Sequence, residues 1–332
     1  MIILYTMETQ EHIEKENANP FPFSNLFLLK GYVTGKNEFW QYLLGIVAAF
    51  LGYLTFQLIM LIPLLEAALR NGVTWNEISQ NPNILFNPEK IGIDKNLLLA
   101  LMMGMFAFTL LFLWLAIKFI QKKTLSSIIT GYDNIRWKRY FFSFGVWGIL
   151  ITVLTIVSYF ISPQDIEVRF NAGSFFILLI VSVLLIPIQT ATEELIFRGY
   201  LMQGFGLAFK NGISPLIITS VLFGFMHAQN PEAQAHGLLI MMPYYIFFGA
   251  FLGILTLLDE GAELAMGIHC ANNLFSSLLV CSKNSVLQTD AIFYSNSENP
   301  GGEFIIWIVM ASICFFILFK KYKLSNWNLL IR

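Results

Sequence analysis

Charge is scarce in this chain. Of 332 residues only 12% are Asp, Glu, Lys or Arg, and the net charge is −1. A typical soluble domain carries about 25% charged residues. The shortage excludes a disordered polyelectrolyte, and the balanced signs exclude a general basic field for nucleic acid. Cysteine is scarce too. Cys270, Cys281 and Cys314 are an odd, scattered set, which gives neither a disulfide framework nor a CxxC metal motif. Histidine occurs four times, at His12, His227, His236 and His269. No HExxH zinc signature and no GxSxG nucleophile elbow is present. What is abundant is apolar: 56% hydrophobic residues and 32 Phe, many of them in long runs. An ordinary soluble enzyme does not read this way.

A bilayer core of about 30 Å needs roughly 20 apolar helical residues. Eight runs approach that length, at 42–64, 96–120, 141–161, 174–197, 213–228, 237–258, 262–280 and 304–319. The expected fold is all-α, a polytopic membrane protein built as a bundle of about eight transmembrane helices, because backbone in lipid must satisfy its own hydrogen bonds. The runs are too continuous for the alternating strands of an outer-membrane barrel. Four segments follow: a polar tail over 1–40; three helices over 41–173, with a long connection at 65–95; a polar-dotted core over 174–281; and 282–332, a loop, a last helix and a basic tail. The connection at 65–95 reads as partly structured or interfacial, and 282–303 as a flexible surface loop. The apolar stretch Ile2 to Tyr5 is too short for a cleavable signal, and Met7 offers an alternative start.

Loop charge sets orientation. With the N-terminus inside, fourteen Lys and Arg fall on inner segments and five on outer ones. The densest cluster is RWKR at 136–139. Both termini are therefore expected in the cytoplasm, with the chain in a bacterial cytoplasmic membrane. The plain reading of such clusters is topology and contact with anionic lipid.

Ionisable residues inside spans are rare and usually functional. The fourth run ends IQTATEELIFRGY. Glu194 and Arg198 are i,i+4 on one face and can neutralise each other, while Glu193 lies about 100° away and lacks a local partner. His227 follows the apolar stretch VLFGFM; His269 and Asn273 are i,i+4 on the seventh run. Each has a plain reading: a structural ion pair, a satisfied core histidine, interhelical glue. Gly249-x-x-x-Gly253 reads as helix packing. Together, two acids, two imidazoles and an amide on three spans can line one wet cavity. Such a set can activate water with a carboxylate and stabilise an oxyanion, or hold zinc with an open position.

Three motifs carry a resemblance. E-E-L-I-F-R (193–198), F-G-F-M-H (223–227) and H-C-A-N-N (269–273) match E-E-x-x-x-R, F-x-x-x-H and H-x-x-x-N, in order, on the fourth, fifth and seventh spans. Residues 174–281 thereby resemble the CPBP intramembrane proteases, the CAAX protease and bacteriocin-processing (Abi) family. The resemblance implies an intramembrane endopeptidase acting on a peptide or protein substrate at the lipid bilayer. It implies that Glu193 activates water with His227, that His269 and Asn273 stabilise the oxyanion or help hold a metal, and that Glu194 and Arg198 complete the site. A zinc ion on Glu193, His227 and His269 and a metal-free glutamate mechanism both stay open. Two other readings stand beside it: a non-catalytic peptide-binding or bacteriocin-immunity protein of the same fold, and a proton-coupled transporter, against which no internal repeat is visible.

One expectation strains the picture. With the fourth helix ending near 197, Glu193 lies near the inner face. His227 lies about fourteen residues into the fifth helix, roughly 21 Å from that face. A break at Gly199, or a fifth helix that begins deep in a protein-lined cavity, would reconcile them.

Overall fold

A computed structural model describes residues 23–331. Most of the tail expected over 1–40, His12 included, lies outside the described residues. The chain then forms α1 (Leu26–Val33), α2 (Phe39–Arg70), α3 (Trp75–Gln80), α4 (Pro88–Ile91), α5 (Lys95–Phe119) and α6 (Trp137–Ile161). Strand β1 (Ile166–Val168) leads into α7 (Ala172–Glu194). A π-helical stretch, Leu195–Leu201, joins α7 to α8 (Met202–Phe209). There follow α9 (Ile213–Met226), α10 (Pro231–His236), α11 (Leu238–Leu258), α12 (Glu263–Leu279), β2 (Val280–Ser282), β3 (Phe293–Ser295) and α13 (Pro300–Tyr322).

All eight apolar runs are helices. Among the described residues six helices are long and apolar enough to cross a membrane unaided: α2, α5, α6, the α7–α8 unit, α11 and α13. The other two, α9 with 14 residues and α12 with 17, reach only about 21 and 26 Å. They are the two that carry the histidines at positions 227 and 269. Lipid-facing residues such as Ile62, Ile149, Leu184 and Phe316 are exposed on the rim.

Lipid tails are as apolar as leucine, so helices associate here through close packing and interhelical hydrogen bonds. Gly267 lets α12 lie on α6; a Cβ there would run into Ser143 Oγ and the Tyr140 carbonyl. Ser143 Oγ donates to the Leu264 carbonyl at the same crossing. Gly249 and Gly253 of α11 face Ser220 and Leu216 of α9, as helix packing demands.

The two ends of the bundle differ. At one, the Asn25 amide donates to the carbonyls of Leu257 and Leu329, Lys30 pairs with Asp133, and Arg136 binds Glu263 and Asp259. Most of the basic residues gather there. At the other end, β1, β3 and β2 form a small sheet, Lys95 pairs with Asp290, and His236 meets Glu298 at 2.8 Å. The loop expected to be flexible, 282–303, is thus built: its strands pair, and Glu298 also accepts from the Asn284 side chain. The 65–95 connection is structured as well. A Thr74–Glu77 capping box starts α3, and Val73, Ile78, Leu85 and Ile91 pack on Met60, Leu64 and Ala68 of α2.

Candidate active site

A buried charge costs several kcal/mol unless paired and hydrogen-bonded. Arg198 is wholly buried, and three groups answer it. Its Nη1 donates to Glu194 Oε1 at 2.8 Å and its Nη2 to the Gly249 carbonyl at 3.1 Å. The guanidinium also lies over the Phe223 ring at 4.4 Å. Glu194 Oε1 is 2.7 Å from His269 Nδ1. A carboxylate beside a guanidinium accepts, so His269 Nδ1 carries the hydrogen. That leaves Nε2 turned to Glu193 Oε2, 3.5 Å away. The i,i+4 pairing read from sequence is real, and it serves to orient an imidazole on a helix 75 residues further on.

Glu193 is held from the other side by a chain of amides. Trp147 Nε1 donates to Asn272 Oδ1 (3.2 Å), Asn272 Nδ2 to Asn273 Oδ1 (3.1 Å), Asn273 Nδ2 to Gln189 Oε1 (2.9 Å), and Gln189 Nε2 to Glu193 Oε1 (2.6 Å). An indole can only donate and a carboxylate accepts, so the direction is fixed at both ends. Oε1 of Glu193 is thereby occupied, while buried Oε2 has no hydrogen-bond partner. Only 14% of the Glu193 side chain is exposed.

His227 caps α9. Its Nδ1 lies 2.7 Å from the Phe223 carbonyl, one of the helix-end carbonyls left without an intrahelical donor. A carbonyl accepts, so Nδ1 is the protonated nitrogen and Nε2 is free. The ring stacks on Tyr245 (4.6 Å, 25°) and leans on Phe223 (4.5 Å). Phe223 also touches the His269 ring, at 5.9 Å. Tyr245 in turn donates to Glu232, whose other oxygen is buried without a partner. The structure thus brings Glu193, Glu194, Arg198, His269 and Asn273 together, as two bonded chains that face each other across the 3.5 Å between His269 Nε2 and Glu193 Oε2. His227 stands one aromatic ring away.

The depth conflict disappears for a reason sequence reading missed. The fourth helix neither stops at 197 nor breaks at Gly199. It passes through a π-stretch, a rare form that often marks functional positions, and runs on to Phe209. Glu193 lies sixteen residues, about 24 Å, above that end, and His227 about 21 Å above the start of α9. Lys210, in the left-handed conformation, ends α8 just before α9 begins. The two side chains therefore reach a similar level.

Zinc needs three protein ligands around an open position. Among the described residues no three His, Cys, Asp or Glu side chains are grouped to hold an ion. Glu193 and His269 form a pair, and His227, with its Nε2 free, stands one aromatic ring away from them. Glu193, His227 and His269, the residues expected to hold zinc, are not gathered as a three-ligand set in this arrangement.

Gln189, Asn272, Trp147 and Tyr245 were not singled out from sequence, and Gly249 was read there as helix packing alone. Gln189 left a signal: it is a polar residue i−4 from Glu193 in an apolar run. The i,i+4 spacing from His269 points to Asn273; its neighbour Asn272 is used as well, as the preceding link of the same chain. Trp147 and Tyr245 look like any aromatic in a greasy helix.

The family described as type II CAAX prenyl endopeptidase Rce1-like matches residues 172–275, which contain both bonded chains except for Trp147. An uncharacterized protein of Bacillus subtilis (strain 168), YyaK, is 34% identical over 208 residues, covering 62% of this chain and 69% of that protein. No solved structure matches.

Proposed function

We propose that this chain, which belongs to the CPBP or CAAX protease family, is an intramembrane endopeptidase that hydrolyses a peptide bond with Glu193 as general base. The observation that carries the reading is the asymmetry at Glu193. One oxygen is pinned by Gln189, and the other, unpartnered, faces His269 Nε2 at 3.5 Å. A water on Oε2 gives up a proton to the carboxylate as its oxygen adds to the scissile carbonyl carbon. The C–N bond then breaks, and the proton passes to the leaving nitrogen. His269, held by Glu194 and Arg198, can take that proton in transit through Nε2. His227 offers a second free Nε2 beside the same aromatic wall. One N–H of the Asn273 amide goes to Gln189 and aims that side chain; the second N–H is available to a developing oxyanion.

The test is cleavage of a quenched fluorescent peptide library by purified protein in detergent. Glu193→Ala is expected to abolish cleavage and His269→Ala to cut it by about 10²-fold or more, the range of a general acid or base. Equal rates in wild type and both variants would remove the assignment. Retained cellular effect in Glu193→Gln without cleavage would favour a non-catalytic binder. On this reading, treatment with EDTA leaves the rate unchanged. Loss on chelation and recovery with zinc would replace it by a metal mechanism in which His227 joins Glu193 and His269. We further place both termini in the cytoplasm, on the gathering of basic residues at one end of the bundle.

A further inference from the structure

Resting on that reading, we propose that the site takes its peptide from the end of the bundle opposite the basic one, so that its substrate is presented at the extracytoplasmic face. Three observations carry this. Toward the basic end the network is sealed. Arg198, Tyr200, Met202, Gln203 and Leu257 have at most 1% of their surface exposed. The seal is tied as well as packed: Tyr200 donates to the Gln41 carbonyl, and Gln203 to the carbonyls of Phe27 and Ser127. Water or substrate from that side would have to cross α1, α2 and the 120–131 segment.

Toward the other end burial relaxes. Glu193, His227 and Asn273 are only partly buried. Directly after His227 the chain turns polar, with Ala-Gln-Asn-Pro-Glu-Ala-Gln-Ala-His before α11, and Gln229 is exposed. At the same end a cavity of about 400 Å³ is lined by His236, Lys283, Asn284, Tyr294, Asn296 and Glu298.

Depth supplies the third. His227 stacks on Tyr245, which is seven residues, about 10 Å, from the start of α11 and about 20 Å from its end at the basic face. Loop charge puts the basic end in the cytoplasm, so His227 sits in the outer half. A soluble cytoplasmic tail would meet the sealed side; a peptide already exported, or lying in the outer leaflet, would meet the open one.

Two cysteine variants decide the side without relying on activity. The native cysteines are all buried, which keeps background low. Gln229→Cys lies by the open end, and Lys138→Cys lies exposed at the basic end. With a membrane-impermeant maleimide, right-side-out vesicles are expected to label Gln229→Cys and inverted vesicles Lys138→Cys. In parallel, a membrane-impermeant quenched peptide is expected to be cleaved by right-side-out vesicles and not by intact inverted ones. The reverse pattern in either assay overturns the proposal. Cleavage by neither vesicle type nor by detergent-solubilised protein sinks the endopeptidase reading, and the labelling then still decides which way the polar site opens.

Discussion

Trp147 is 46 residues from Glu193 in sequence and on another helix, yet four hydrogen bonds connect them. Because the direction of the chain is set by its ends, each amide has one orientation that satisfies its neighbours. Gln189→Leu is nearly the same size and removes the last donor. The expected result is a drop in kcat on the order of a hundredfold with KM nearly unchanged, the mark of a misaimed base rather than lost binding. Trp147→Phe acts further back and leaves Asn272 Oδ1 without its donor, costing about 1–3 kcal/mol, visible as a lower thermal midpoint. If Trp147→Phe leaves both midpoint and kcat as they were, the chain is decorative.

At the scale of elements, most of the architecture could be read from the sequence, since eight apolar runs became eight helices. What could not be read was where the fourth ends. Arg198, Gly199 and Gln203 look like a loop to a hydropathy window. In the fold they are buried, with Arg198 and Gln203 answered by specific carbonyls. The motif residues were legible because charge in an apolar span is conspicuous; the amides and aromatics that aim them were not, since one Gln or Trp in a membrane helix has many ordinary explanations. Lys123 is a further case. It is one of the fourteen Lys and Arg counted on the inner segments, but it is buried, and its ammonium donates to the Gly31 carbonyl and Tyr42 hydroxyl. Burial pulls its pKa down to about 8. The unfolded chain holds that proton up to a pKa near 10.4. Between those values the unfolded state binds more protons, so stability gains from this group as pH rises from about 8 to about 10.4. Thermal midpoints across that range are expected to show the gain, and Lys123→Met to flatten it. A wild-type midpoint that falls no less than the variant's would count against the buried charge.

At the scale of the whole molecule, a membrane protein has placed an arginine, two glutamates and a histidine where solvation is poorest. Stability alone does not ask for this, because a buried ion pair replaced by apolar residues of similar volume is often neutral or better. The arrangement makes sense if Glu194 and Arg198 exist to hold His269 against Glu193. That separates two outcomes which a simple structural pair would merge. Arg198→Leu alone strands Glu194 as a buried charge and is expected to cost about 3–5 kcal/mol. Glu194→Leu together with Arg198→Leu removes both charges, so most of that stability should return. Cleavage should not return, because His269 has then lost the carboxylate that fixes its tautomer. Measuring detergent-solubilised thermal midpoints beside peptide cleavage for the single and double variants checks both halves. A double variant that is stable and still cleaves at the wild-type rate would reduce the pair to packing.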